Sequence, residues 1–172
     1  MSTYNEEETD WVSTVYNFNW SSTSLGPMKL WDASLKNAVD LCFQAAFPTS
    51  VCIAPDWIPL YNKAWIPILK AKHPHALGKT LKQIWPDIHE LLISQYESIR
   101  ASGKGFLKNE EYFEYERDGY TEEVYISYSS SPIFKSDGSV CAIFTLAQDV
   151  TEKVLNIRRL KTLGELSRRI PG

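Results

Sequence analysis

The sequence predicts an α+β fold, a five-stranded antiparallel sheet with helices on one face, and three observations carry that expectation. Five strand-like runs are bounded by turn residues, two early in the chain and three late. Helical periodicity falls between the second run and the third, over Glu90 to Ala101. The last run, Val140 to Ala147, is continuously apolar, as a strand covered on both faces should be.

Along the chain, the first ten residues are acidic and expected to be mobile. From Trp11 to Trp31 aromatics mix with Ser, Thr and Asn around a Leu25-Gly26-Pro27 turn. That stretch therefore reads as an irregular arm pinned by Trp20 and Trp31, and residues 1–31 together as the N-terminal arm. Asp32 reads as the N-cap of a flanking helix over residues 32–47, in which Leu35, Ala38, Val39, Cys42, Ala45 and Ala46 recur at helical spacing until Phe47-Pro48. Ser50 to Ala54 and Ile58 to Asn62 form a hairpin around Pro55-Asp56. Ala64 to Lys70 predicts a short helix interrupted by Pro67, then a His73-Pro74-His75 loop and a turn-like element ending at Trp85-Pro86.

Ile88, Leu92, Tyr96 and Ile99 fall within about 80° of one another at 100° per residue, so an amphipathic helix runs over residues 90–101 until Ser102-Gly103 ends it. In the subsequent meander, Leu107, Asn109, Glu111, Phe113 and Tyr115 alternate with Lys108, Glu110, Tyr112 and Glu114, which predicts one wet face. Arg117-Asp118-Gly119 turns the chain, Glu123 to Ser130 returns and continues through Phe134, and Asp137-Gly138 turns it again. Asp149 and Thr151 are placed to cap the helix that leaves the last strand, over residues 151–172.

A chain of 172 residues with 44% hydrophobic content supports one core, with residues 32–150 as the domain between the arm and the exit helix. The net charge of -3 and the absence of a strong basic cluster argue against nucleic acid as a partner. No segment reaches the roughly 18 apolar residues of a membrane span and the start is no signal peptide, so a cytoplasmic protein with no membrane partner is expected. Cys42, Cys52 and Cys141 are widely spaced in apolar sequence and read as reduced core thiols.

Catalytic candidates are few, and no enzyme is expected. His73, His75 and His89 lack metal-ligand spacing, and the acidic run from Asn109 to Glu116 reads as a solvated strand face. Aromatic residues over the sheet are the natural lining of a cavity. Asn62, Trp65, Trp85, Tyr96, Phe113, Tyr128 and Phe144 are the candidate ligand pocket.

With these elements in place the sequence resembles a PAS domain. The residues that carry the resemblance are L-Y-N-K-A-W in the second strand, A-L-G-K before the long helix, the S-P-I-F-K-S-D-G hairpin and the closing D-V-T-E. It is similar in particular to the N-terminal PAS modules of bacterial and fungal sensor or hybrid histidine kinases. The shared strings run from L-G-P-M-K-L-W-D-A-S-L through W-P-D-I and R-D-G-Y-T-E-E to R-R-L-K-T-L-G-E-L. At Val51-Cys52-Ile53-Ala54-Pro55 it departs from the bulky aromatics and glycine usual in that subgroup. The photoreactive-cysteine motif of the light-oxygen-voltage branch is absent, so flavin adduct chemistry is not expected.

The resemblance implies a sensory module of a two-component phosphorelay. It would bind a small-molecule ligand or partner and pass a conformational change through Asp149, Thr151 and the exit helix to a histidine kinase effector, as a homodimer through its terminal helices. No cofactor is required by the sequence. The rival expectations are a ligand-free dimerisation module and a flavin- or haem-containing photoreceptor or gas sensor.

Overall fold

The computed structural model describes residues 3–117 and 119–171. Helix α1 (Thr3–Asn17) is followed by 3-10 turns at Trp20–Ser22 and Met28–Leu30 and by α2 (Ala33–Gln44). Strands β1 (Thr49–Ile53) and β2 (Ile58–Tyr61) form the first hairpin. The short α3 (Ile66–Leu69) and α4 (Leu81–Ile84) and the longer α5 (His89–Ser102) come next. Strands β3 (Phe106–Arg117), β4 (Tyr120–Phe134) and β5 (Val140–Asp149) complete the sheet, and α6 (Thr151–Arg169) leaves it. The strand order is β2-β1-β5-β4-β3, so the first and last strands of the sequence pattern meet at the centre.

The chain forms two compact units, Met1–Phe106 with Ser129–Ala147, and Leu107–Tyr128 with Gln148–Gly172. In the first unit β1 pairs antiparallel with both neighbours, Val51 lying opposite Leu60 and Phe144, and Cys52 opposite Pro59 and Ile143. The period of two then separates two apolar clusters. Val51, Ile53 and Ala142 join Val15, Trp20, Leu35, Val39 and Cys42 from the N-terminal segments. Cys52 and Ile143 join Trp57, Leu81, Tyr96 and Ile99 beneath α4 and α5. Every residue of β1 is buried, as a strand covered on both faces requires.

The N-terminal arm is not irregular throughout: its first half is α1. Trp11 and Val15, four residues apart and therefore on one face, are both buried. The Trp11 indole N–H donates to the Tyr61 carbonyl at 2.9 Å, while its ring stacks on Tyr61 at 5.0 Å and meets His73 edge-on at 4.6 Å. β2 is an edge strand, and this indole satisfies a carbonyl on it. Further on, the Phe18 ring occupies the space where a Cβ at Gly78 would stand, and Gly78 sits at φ 77°. The glycine of A-L-G-K is thus needed for the seating of Phe18 as well as for its own backbone.

Other boundaries shift slightly. Asp32 does cap α2, its Oδ1 accepting from the Ser34 N–H at 2.9 Å, but α2 stops at Gln44 because Ala45 turns extended. Alternation in β3 fails near its start: Phe113 and Tyr115 are buried as expected, whereas Leu107 is 64% exposed. Residues 107–110 are all exposed, so no alternation exists there, and Glu110 breaks the regular strand with a left-handed backbone at φ 53°. The predicted Arg117-Asp118-Gly119 turn includes Asp118, which lies outside the described residues, while Gly119 has φ 82°. At Asp137-Gly138 the turn forms as read, with Gly138 at φ 83° and Asp137 Oδ1 accepting from the Ser139 N–H at 2.9 Å.

Candidate functional site

The second unit holds the junction between strand and exit helix. Asp149 Oδ1 accepts from the Thr151 N–H at 2.9 Å and from its hydroxyl at 2.6 Å. The same hydroxyl oxygen accepts from the Tyr125 N–H at 2.9 Å, and the Val150 N–H donates to the Tyr125 carbonyl at 2.9 Å. The N-cap position of α6 is Val150, with no side-chain cap, so Asp149 stands one residue before the cap and binds the first helical residue instead of the N–H groups further in that a capping side chain takes. Thr151 does something else: its hydroxyl reaches across to a strand backbone instead of the helix's own free N–H groups.

Tyr125 is the hub of this junction. Beyond its backbone, its hydroxyl donates to Glu123 Oε1 at 2.6 Å and accepts from Arg158 Nη2 at 2.6 Å. Arg158 Nη1 also donates to Glu123 Oε1 at 3.0 Å, with the guanidinium 5.6 Å from the Tyr125 ring centroid. The Tyr125 hydroxyl and then Arg158 hold the Glu123 carboxyl below its usual range, and the same contacts raise Arg158. Five residues earlier Lys153 lies 3.6 Å from Glu110 of β3. The Tyr112 ring packs 5.5 Å from Tyr125, and its hydroxyl donates to Glu114. α6 is thus held by polar contacts at Thr151, Lys153 and Arg158, and none of its residues is buried.

Such exposed ion pairs are screened by salt. Arg158→Ala is expected to raise hydrogen exchange over the second turn of α6 at low ionic strength, and the difference from wild type should shrink in 1 M salt. Equal exchange in both proteins at low salt would remove Arg158 from the junction. The Glu123 contribution is fully present above the ordinary carboxylate range and is lost as the pH falls through its lowered value.

Of the residues proposed for a ligand pocket, Asn62, Trp65, Trp85, Tyr96 and Phe144 belong to the first unit, and Phe113 and Tyr128 to the second. Asn62 is 3% exposed, and all four of its hydrogen-bonding positions are taken. Its Oδ1 accepts from Thr49 and Trp65 N–H, both at 3.1 Å, while Nδ2 donates to the carbonyls of Ala45 at 2.9 Å and Phe47 at 2.8 Å. It binds the α2–β1 connection to the residues after β2 and offers no free group to a ligand. Trp65 and Phe144 are half-buried against the first cluster, whereas Tyr96 belongs to the second, 5.3 Å from Trp57. Trp85 packs against both, with Lys72 Nζ 4.9 Å from its ring. In the second unit Phe113 lies 6.3 Å from Tyr128, which donates to Glu111.

Sequence reasoning picked out Asp149 and Thr151 but missed Tyr125, Glu123 and Arg158. The available signal was the two-residue spacing of Glu123 and Tyr125 on one strand face, with Arg158 two helical turns beyond Thr151. None of the three thiols is set up as a nucleophile: burial pushes Cys42 up to about 12, Cys52 well above its ordinary value and Cys141 upward. Among the described residues no group of three His, Cys, Asp or Glu side chains could hold a metal ion. No helix among them is long and apolar enough to cross a membrane.

No family model and no curated protein matches the chain. Solved structures do. An RNA-binding light-oxygen-voltage receptor aligns over 85% of this chain at TM-score 0.51 and 23% identity, the aligned part being 42% of that receptor. The PAS domain of BvgS from Bordetella pertussis aligns over 76% of this chain and 96% of its own length at TM-score 0.52 and 21% identity. A phage VqmA in complex with DPO aligns over 78% of this chain and 60% of its own at TM-score 0.53 and 13% identity. At these identities the likeness is one of fold.

Proposed function

The chain has the PAS fold, and from that premise we propose that it is a sensory module which hands a conformational change from the end of β5 through α6 to an effector outside these residues. The observation that carries this reading is the Thr151 hydroxyl, bonded at once to Asp149 on β5 and to the Tyr125 N–H on β4. A displacement of β5 along β4 must break or re-form one of those bonds, so the first turn of α6 has discrete positions to choose between. The effector we assign is of the histidine kinase class, on the strength of the R-R-L-K-T-L-G-E-L string within α6. We assign no catalytic step to these residues. Asp149→Ala combined with Thr151→Ala is expected to change autokinase output of the intact signalling protein several-fold, and unchanged output would refute the coupling.

The outer part of α6 supports a second copy of the chain as partner. Leu160, Leu163, Leu166 and Ile170 are 69%, 60%, 52% and 74% exposed, a run of large apolar side chains with no core of its own. Their three- and four-residue steps drift around the helix, so the pairing we propose is short and not a long straight seam. Leu163→Asp is expected to turn a dimer into a monomer in sedimentation velocity while leaving the thermal midpoint within a few degrees. A monomeric wild-type protein at tens of micromolar would contradict the assignment.

A further inference from the structure

A groove of about 740 Å³ opens at the end of the sheet where β1 stops and β5 begins. Its walls are the segment entering α2, the last turn of α5 and the β4–β5 hairpin, all within the first unit. Small-molecule sites have volumes of this order. Trp31, Ile53 and Val140 give it a buried apolar floor, while Leu30 and Phe134 stand on its rim, 75% and 46% exposed. Large apolar side chains left in water around a concavity mark a surface that something else covers.

The charged groups lining the groove are Asp32, Arg100 and Lys135. Asp32 is occupied as the cap of α2. Arg100 has a 3.7 Å pair with Glu97, and its side chain is 43% exposed. Near Lys135, the Asp137 carboxylate is taken by the Ser139 N–H at 2.9 Å and the Ser139 hydroxyl at 2.6 Å. The carbonyl end of α5 opposes an anion, and Arg100 in that same turn offsets it. Glu97 and Asp137 stand beside Arg100 and Lys135 but are not part of the lining, so the side chains that line the groove carry two positive charges and one negative one.

We propose that this groove binds a small amphipathic carboxylate, with its apolar body against Leu30, Trp31 and Phe134 and its carboxylate held by Arg100 and Lys135. The site is separate from the residues clustered beneath α4 and α5. It also touches the start of β5, the strand whose far end is Asp149. Occupancy therefore bears on the same strand that feeds α6, and that consequence, unlike the site itself, rests on the function proposed above.

The test titrates the intact chain with octanoate, and with 1-octanol as a neutral probe of equal chain length, while following the backbone amides of Gly103, Ser139 and Val140. Octanoate should give saturable shifts confined to the groove. Its affinity should fall at least about tenfold in an Arg100→Gln, Lys135→Gln double variant, since each charge-assisted contact is among the stronger hydrogen bonds. Ala101→Trp, which projects from an exposed helix position into the groove, should abolish the shifts with the thermal midpoint unchanged. Octanol binding as tightly as octanoate, an affinity indifferent to the two charge substitutions, or no saturation over the solubility range of octanoate overturns the proposal. Binding that leaves hydrogen exchange in α6 unchanged upholds the site and counts against the coupling of β5 to α6.

Discussion

Asn62→Ala is expected to destabilise the protein by about 3–5 kcal/mol, the range reached when a buried hydrogen-bond network is removed at its centre. The side chain serves two N–H donors and two carbonyl acceptors, and it does so at a position that is 3% exposed. Alanine takes this partner from the Thr49 N–H and the Ala45 carbonyl, whereas the Trp65 N–H keeps the Asn62 carbonyl at 3.1 Å and the Phe47 carbonyl keeps the Thr49 hydroxyl at 2.7 Å. Thr49, whose N–H is one of them, is fully buried. Asn62→Asp separates the two halves of the role. A carboxylate can still accept from Thr49 and Trp65, but it faces the Ala45 and Phe47 carbonyls with no proton to give. That variant should be nearly as unstable as alanine at neutral pH and should recover partly as acid protonates it. Urea denaturation with a shared slope reads both. A loss below about 1 kcal/mol for alanine would mean that water replaces the side chain and that Asn62 is not the tie described.

Trp11→Ala should cost about 3–5 kcal/mol, as other large-to-small changes at buried aromatics do, with the loss concentrated in α1. The indole is 7% exposed, stacks on Tyr61 and donates to its carbonyl, and beside it Val15 is fully buried. Hydrogen exchange should show the amides of α1 opening while those of β1 and β5 stay protected. Protection of α1 equal to wild type would show that its other contacts suffice. His73 adds a pH dependence to this anchor. Burial first, and then the nearby His75, lower its pKa, so the folded state prefers the neutral ring, whose Nδ1 lies 2.9 Å from the Tyr61 hydroxyl. The associated stability is fully present above the ordinary histidine value of about 6.5 and is lost as the pH falls through the lowered one. Exchange in α1 should therefore speed up at mildly acidic pH, beyond the intrinsic pH effect, and Trp11→Ala should abolish that excess.

The strands and the long helix were legible because their signals are local. Asp32 caps the helix that starts at the very next residue, β1 is apolar on both faces, and Ile99 and Tyr96 share one side of α5. The left-handed backbone at Glu110 was not legible, since a glutamate gives no sign of it, and neither was the exposure of both faces over residues 107–110. α1 was hidden by its acidic first turns. Its buried face is short, and the groups that fix Trp11 lie at Tyr61 and His73, far along the chain. The junction shows the same division. Asp149 and Thr151 stand out as polar residues at a helix start, but Tyr125 looks like any strand tyrosine until Thr151, 26 residues later in the chain, meets its N–H. For Asn62 the four backbone partners were not legible, because a side chain satisfied by four backbone groups is indistinguishable in sequence from one that awaits a ligand.

The coupling of β5 to α6 is tested most directly by hydrogen exchange of Thr151→Val, which keeps the shape of the side chain and removes only the hydroxyl. The Tyr125 N–H and the amides of Leu155 to Arg158 should lose protection together, by about tenfold or more at Tyr125, where a hydrogen-bond acceptor has been withdrawn. Loss at Tyr125 with α6 exchanging as in wild type would mean that the hydroxyl holds the strand and not the helix, and that no signal passes through it.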